Sequence, residues 1–484
     1  GDLEIRAKLK KGLKMLGAAE ASTLPYLLEL LAVKDSGIDE IPMSPDAKKN
    51  RIMEAFKQIV LKGSEIRPLI LANEDLHWID KSSEELLKHV LESIPGARVL
   101  LIFTYRPEFV HTWGAKSYYS QVNLNSLSNR ESLMMVSHLL GTEELDKNLE
   151  EFILEKTEGV PFFIEELIKS LKDLKIIERE NNRYRITRDV KEVTIPATIQ
   201  DVIMARVDSL PEETKSLLQK VSVVGRESSY DLIKRLTNLA EQELLSHLSV
   251  LKDSELLYER GIYPQSTYVF KHALTQDVAY ESLLLKKRKE IHEEIGVVIE
   301  ALYPDRLEEY HELLSYHYGR SVNADKAVMY LDLANQKAAK LNAMDEAKAY
   351  FDEAMELLDA LPETEENRQR RISLLVNQGI VIMLLFKSSE YYKFLTRYEP
   401  MARDLGNPEL LGAFYARLGH CEFSFGNYDQ AIRTFGKAVE LCQATGNVGD
   451  AAYAYTFWEM SHLDRGDFER VLALKDDVLR TVEH

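Results

Sequence analysis

The sequence predicts a multi-domain, mostly α-helical chain that opens with part of a parallel α/β module and closes with an α-solenoid. Three observations carry this expectation. A length of 484 residues is too great for one hydrophobic core, and 45% apolar residues are enough to fold most of it. Short apolar runs near the start alternate with helical patterns, as buried parallel strands do. A helical motif near the end recurs at a period of about 40 residues, the mark of stacked helix pairs.

Residues 1–125 alternate helical and strand signals. Ile5, Leu9, Leu13 and Leu16 form one helical stripe, and Ile52, Phe56 and Ile59 form another. Pro68–Ala72 and Ala97–Phe103 are apolar runs, and Val122 with Leu124 suggests a third strand. Residues 126–195 read as helices. Residues 196–305 read as a small helical domain with one hairpin. There Leu244, Leu245, Leu248 and Leu251 share a helical face, Gly261 and Pro264 make a turn, and Tyr268 and Phe270 alternate as in a strand. Helices followed by a hairpin suggest a winged helix. Residues 306–484 are helical throughout. Ala347, Phe351 and Ala354 are repeated in spacing by Ala431, Phe435 and Ala438, and Gly426-Asn427-Tyr428-Asp429 by Gly466-Asp467-Phe468-Glu469. A middle copy is expected near Ser388–Tyr392. Small alanines let paired helices approach, and the Phe fills the gap between them. With Tyr415, Leu418 and Gly419 at first-helix positions, this part resembles tetratricopeptide (TPR) repeats, which implies a protein partner for the solenoid.

Composition excludes several classes. Against 61 Lys and Arg stand 79 Asp and Glu, a formal charge of −18. That disfavours a broad nucleic-acid surface, which needs clustered cations. The basic run Lys286-Lys287-Arg288-Lys289 reads as a solvated helix face. Cys421 and Cys442 are the two cysteines, too few to staple such a chain, and a reduced cytoplasmic location fits. The apolar run Ile380–Phe386 is too short to cross a bilayer, and no signal peptide is expected ahead of the first helical stripe. A start at Gly1 instead of Met is read as a sign of a fragment.

Chemistry is concentrated in Leu69-Ile70-Leu71-Ala72-Asn73-Glu74-Asp75-Leu76-His77-Trp78-Ile79-Asp80. An apolar strand ends in adjacent carboxylates and turns into a helix. Two solvated acids at a strand end are common. The same position, at the C-terminal edge of a parallel sheet, is where a nucleotide-bound Mg²⁺ finds a carboxylate and an attacking water is oriented. The whole string resembles the Walker B segment of signal-transduction ATPases with numerous domains (STAND) and of related AAA ATPases. By that resemblance Glu74 matches the Mg²⁺-side acid and Asp75 the water-activating acid. The usual order is Asp then Glu, so the division of roles is open.

Further segments carry the resemblance along the chain. Phe103-Thr104-Tyr105-Arg106-Pro107 resembles the sensor-1 Thr-x-Arg. It implies phosphate contact from Arg106 with Thr104 beside it, where a surface Arg before a Pro-led turn is the plain alternative. Gly159-Val160-Pro161 is an ordinary helix start, and in the family a Gly-x-Pro here packs against adenine. Ile195-Pro196-Ala197-Thr198 and Val223-Val224-Gly225-Arg226 resemble the linker and winged-helix start. His272 falls near a winged-helix His that touches a bound diphosphate in some relatives, or it is a packed core residue.

No Gly-x-x-x-x-Gly-Lys-Ser/Thr phosphate-binding loop occurs in the sequence. In the family its strand is expected between the Walker B and sensor strands. The resemblance therefore implies a partial P-loop NTPase module (1–125), a helical lid (126–195), a winged helix (196–305) and a TPR-like solenoid (306–484). The parent would be a bacterial ATP-dependent switch using ATP/ADP and Mg²⁺, attached to an effector such as a class III adenylate or guanylate cyclase, with oligomerisation on activation left open. This chain is expected to be inactive as it stands. The rival is a non-enzymatic TPR scaffold with a vestigial ATPase domain.

Overall fold

The computed structural model describes all residues except 1, 32, 34, 39–40, 115, 143–144, 174, 181–182, 187–197, 386 and 483–484. The described residues are mostly helical and contain TPR-like repeats. The chain forms two compact units. One comprises Gly1–Tyr118, Arg306–Gly319 and Asn323–His484, and the other Tyr119–Asp305 with Arg320–Val322.

The first unit starts with helices Asp2–Leu16, Glu20–Leu30 and Pro45–Ile66. Ile5, Leu9 and Leu13 share a core with Ile52 and Ile59, as their spacing requires. Ser44 caps the third helix by accepting from the Ala47 N–H at 3.2 Å. Strands β1 (Leu69–Asn73) and β2 (Val99–Phe103) then pair in parallel, in register from Leu69 with Val99 to Asn73 with Phe103. One face packs Leu101 and Phe103 toward Leu76, Leu91 and Trp113. The other leaves Ile70 and Leu100 exposed, at 68% and 55%.

Two expectations fail here. Val122 and Leu124 form no strand and are exposed. Two alternating apolar residues do not make a strand unless a sheet edge receives them. The second failure concerns sheet order. A phosphate-loop strand cannot lie between β1 and β2, because these two bond to each other along their full length.

Later in the same unit the solenoid stacks antiparallel helices. Ala347, Phe351 and Ala354 lie fully buried in helix Met344–Ala360, as do Ala431, Phe435 and Ala438 in helix Tyr428–Thr445. A Cβ on Gly419 would stand 2.8 Å from the Phe435 ring, so this helix pair closes only around a glycine. The middle copy is helix Ser388–Asp404, where Tyr391, Leu395 and Tyr398 occupy the same three positions. The larger residues are accommodated by polar anchoring. The Tyr391 hydroxyl donates to the Leu375 carbonyl at 2.6 Å, and Tyr398 accepts from Arg371 at 3.0 Å.

In the second unit, helices Asn129–Leu140, Lys147–Thr157 and Pro161–Asp173 share a core around Leu149, Ile153, Ile164 and Leu167. A hairpin of β3 (Ile177–Glu180) and β4 (Arg183–Ile186) follows, which corrects the all-helical expectation for this stretch. Next come helices Ile199–Asp208, Glu212–Val224, Tyr230–Thr237 and Glu241–Asp253. Strands β5 (Glu227–Ser229), β6 (Leu257–Arg260) and β7 (Thr267–Phe270) form an antiparallel sheet ordered β5-β7-β6. Leu244, Leu248, Leu251, Tyr268 and Phe270 are buried as expected. The expected hairpin is present, and β5 adds a third strand. Ile195, Pro196 and Ala197 lie outside the described residues. Val223–Arg226 spans a helix end and the turn into β5. Lys286, Lys287 and Lys289 are exposed on helix Leu285–Leu302. No helix among the described residues is long and apolar enough to cross a membrane.

Candidate functional site

The first candidate group sits at the C-terminal edge of the β1–β2 pair. Beyond Asn73 the chain kinks at Asp75, which takes the left-handed conformation at φ 55° and ψ 41°. The kink turns the Asp75 N–H onto the Thr104 hydroxyl at 3.0 Å, and the next N–H, of Leu76, onto the Thr104 carbonyl at 2.8 Å. The Thr104 N–H closes the ladder on the Asn73 carbonyl at 3.1 Å. The two strand ends predicted to carry chemistry are thereby locked side by side. Leu76 is buried and anchors the turn. Asp80 caps the following helix, Lys81–Leu91, through the Ser83 N–H at 2.8 Å.

Glu74 is exposed, Asp75 half-buried and Arg106 exposed. One or two carboxylates beside open solvent are the donor set Mg²⁺ takes from proteins, with water and phosphate oxygens supplying the rest. Among the described residues, no cluster of three or more His, Cys, Asp or Glu could hold a metal by itself. The residues at this edge thus fit Mg²⁺ arriving with a polyphosphate.

The helix after the acid pair also meets the solenoid, within the same unit. Lys81 pairs with Asp345 at 2.9 Å, and the Ser82 N–H donates to Glu346 at 3.1 Å. Exposed pairs of this kind contribute at most about 1 kcal/mol. Their value is positional, since they join the acid-bearing turn to the first turn of helix Met344–Ala360.

The second group lies in the other unit. Gly159, at φ 74°, accepts on its carbonyl from the Leu127 N–H at 2.8 Å. Pro161 starts the next helix, and the following Phe162 ring lies 3.9 Å from the His272 ring. His272 is not on the strand but two residues past β7, at the cap of helix Ala273–Glu281. Burial holds its imidazole below the usual histidine range, and its Nε2 is covered with no hydrogen-bond partner.

Around this pair lies an ionic cluster that the sequence reading missed. Lys271 bridges Glu165 at 3.0 Å and Glu255 at 2.8 Å, and Lys169 contacts both carboxylates too. Deeper in, Glu166 pairs with Arg206. Burial tends to raise the Glu165 carboxyl, but Lys271 and Lys169 outweigh it and hold the group below the usual range. Lys169 and Lys271 hold Glu255 down at about 2. One signal was available in the sequence, the i,i+4 spacing of Glu165 and Lys169. The structure therefore gathers Gly159, Pro161 and His272 in one unit, and Glu74, Asp75, Thr104 and Arg106 in the other.

Gly159→Ala should damage the second group severely. A Cβ there would meet the Leu127 carbonyl oxygen at 2.2 Å, and the positive φ adds strain of roughly 1–3 kcal/mol. For a unit of this size the thermal midpoint should fall by about 5 °C or more. Differential scanning calorimetry checks this, and a melt within about 1 °C of the native chain would show that the loop re-seats without cost.

Comparisons with known proteins cover parts of the chain. Residues 413–445 match the tetratricopeptide repeat family, and residues 128–185 match a domain of unknown function, DUF8739. An uncharacterized protein of Rhizobium meliloti (strain 1021) is 22% identical over 380 residues, which are 76% of this chain and 35% of that protein. The chain thus spans about a third of the length of the curated relative it matches. Among solved structures, a STAND protein with a tetratricopeptide repeat sensor from Pyrococcus horikoshii aligns at 14% identity. The alignment covers 89% of this chain and 70% of that one, with a TM-score of 0.35. BtubC (BKLC) from P. vanneervenii aligns at 15% identity over 41% of this chain and 81% of that one, with a TM-score of 0.31. Superposition at these scores does not define a shared fold.

Proposed function

We propose that this chain is the switch and sensor part of a signal-transduction ATPase of the STAND type. The observation that supports it most is the convergence at the shared C-terminal edge of β1 and β2. There the Asp75 N–H to Thr104 bond sets the strand end that carries Glu74 and Asp75 beside the one that leads into Arg106. In parallel α/β sheets this edge is where ligands are held. Glu74 takes the metal side, Asp75 orients water, and Arg106 contacts the γ-phosphate. Mg²⁺, when bound, supplies the charge that offsets the phosphates.

Residues 126–195 act as a lid and 196–305 as a winged helix. Gly159 and Pro161 lie against adenine, and His272 senses the diphosphate. The strand bearing the phosphate-binding loop adds at an outer edge of the β1–β2 pair. It belongs to a larger sheet whose crossover helices would cover Ile70 and Leu100, since parallel sheets are buried on both faces. The solenoid takes a protein partner, and the Lys81–Asp345 and Ser82–Glu346 contacts give a route between partner and acid edge. The output is an effector of the cyclase-regulator kind, in the cytoplasm.

The reading frame holding this chain should encode Gly-x-x-x-x-Gly-Lys-Ser/Thr ahead of Gly1, and the protein bearing both should hydrolyse ATP. A frame without the loop, or a loop-bearing protein that leaves ATP intact, favours the scaffold reading instead.

A further inference from the structure

The solenoid holds a cavity of about 650 Å³ between helices Ala324–Lys340 and Glu365–Asn377. Helix Ala324–Lys340 is followed by Met344–Ala360, and helix Glu365–Asn377, continued by the short helix Gly379–Leu384, by Ser388–Asp404, the two helices that carry the buried three-residue motif. They therefore occupy equivalent positions in successive repeats. The wall is mainly apolar, formed by Val328, Met329, Leu333 and Leu374, with Asp332 among them.

Asp332 is an unusual group to find in such a wall. One carboxylate oxygen, Oδ2, accepts from Gln336 at 3.0 Å. The other, Oδ1, is covered and has no hydrogen-bond partner. Among the described residues no cation is paired with it, and burial lifts its carboxyl above the usual range, with Gln336 and Asn377 offsetting part of the rise. A buried carboxylate without a countercharge is costly, and the cost falls when a cation arrives.

The cations nearby are already engaged. Arg370 is held by Asp325 at 2.6 Å and by Glu366 at 2.5 Å. Lys326 donates to the Tyr318 hydroxyl at 3.1 Å. Asp325 lies seven residues before Asp332 on the same helix, roughly 10 Å along its axis. The engaged charges therefore sit at one end of the cavity and the unpaired acid at the other, with apolar wall between.

We infer that this cavity is a recognition pocket for a lysine or arginine side chain of a protein partner, with Asp332 receiving the charge. The inference rests on the reading of the solenoid as partner-binding. A long basic side chain matches the lining, because its methylenes suit the apolar wall and its head suits the carboxylate. The net charge of −18 favours approach of a cationic segment.

The test uses the full chain and an array of dodecapeptides in an uncharged Ala/Leu/Ser background. Each set differs at one position, which is lysine, its uncharged analogue norleucine, or glutamate. Fluorescence anisotropy should show lysine peptides binding at least 10-fold tighter than their norleucine partners. Asp332→Asn should erase that preference while leaving norleucine peptides unaffected. Met329→Lys, which places a fixed cation at the exposed wall, should exclude lysine peptides even if the first variant folds poorly. Peptide binding that ignores the varied position would overturn the inference and leave the partner-binding reading intact. A lysine preference that survives both variants would also overturn it, placing the charge recognition elsewhere. No binding by any peptide would count against both.

Discussion

Asp75→Asn, in a protein that supplies a phosphate-binding loop to this edge, is expected to cut ATP turnover by roughly 100-fold or more while sparing nucleotide binding. The scale is that of losing a general base. The left-handed kink at residue 75 and the N–H bond to Thr104 are backbone features, and neither depends on the carboxylate. Asn tolerates the left-handed conformation better than most residues, so the turn should survive. What is lost is the negative charge that draws a proton from water. Glu74 provides the contrast. Glu74→Gln should raise the Mg²⁺ concentration needed for activity, because it weakens the metal side. Steady-state phosphate release and equilibrium binding of a fluorescent ATP analogue separate the two. Unchanged turnover in the Asp75 variant would move the chemistry to Glu74.

What the sequence made legible follows from how local each signal is. β1 and β2 are apolar runs flanked by turn and charge signals, so their existence is read directly, and the acid pair at the end of β1 comes with them. The repeats are legible where alanine and phenylalanine recur. The middle copy is legible by its period but not by its residues, because Tyr391, Leu395 and Tyr398 fill the same positions with different volumes and are anchored by partners such as Leu375 and Arg371. The β3–β4 hairpin escapes for another reason. Its ladder sets Glu178 opposite Arg185, so charged residues stand where a strand pattern wants apolar ones. β5 is three residues, Glu227-Ser228-Ser229, with little strand propensity of its own, and its pairing with β7 decides its conformation. The ionic cluster at His272 was legible only in its local half, the i,i+4 pair of Glu165 and Lys169, since Glu165 and Lys271 are 106 positions apart. Asp332 was out of reach too, because only the packing of two repeats reveals that its carboxylate has no countercharge among the described residues.

The chain as given should bind Mg-ATP no more tightly than about 1 mM, close to −4 kcal/mol. Nucleotide affinity in P-loop proteins comes largely from backbone N–H groups and a lysine that surround the β- and γ-phosphates. The sequence contains no Gly-x-x-x-x-Gly-Lys-Ser/Thr string to provide them. Glu74 and Asp75 cannot substitute, since carboxylates repel a polyphosphate until Mg²⁺ stands between them. Arg106 is exposed, and a single solvated guanidinium adds little at physiological salt. An adenine contact at Pro161 would contribute a further weak term. Isothermal titration calorimetry of the chain with Mg-ATP reads the sum, and a melt recorded on the same sample confirms that the protein is folded. Micromolar binding would reveal phosphate donors outside the two groups described. In that case Arg106→Ala should leave the affinity unchanged, which would remove the β1–β2 edge from the nucleotide site altogether.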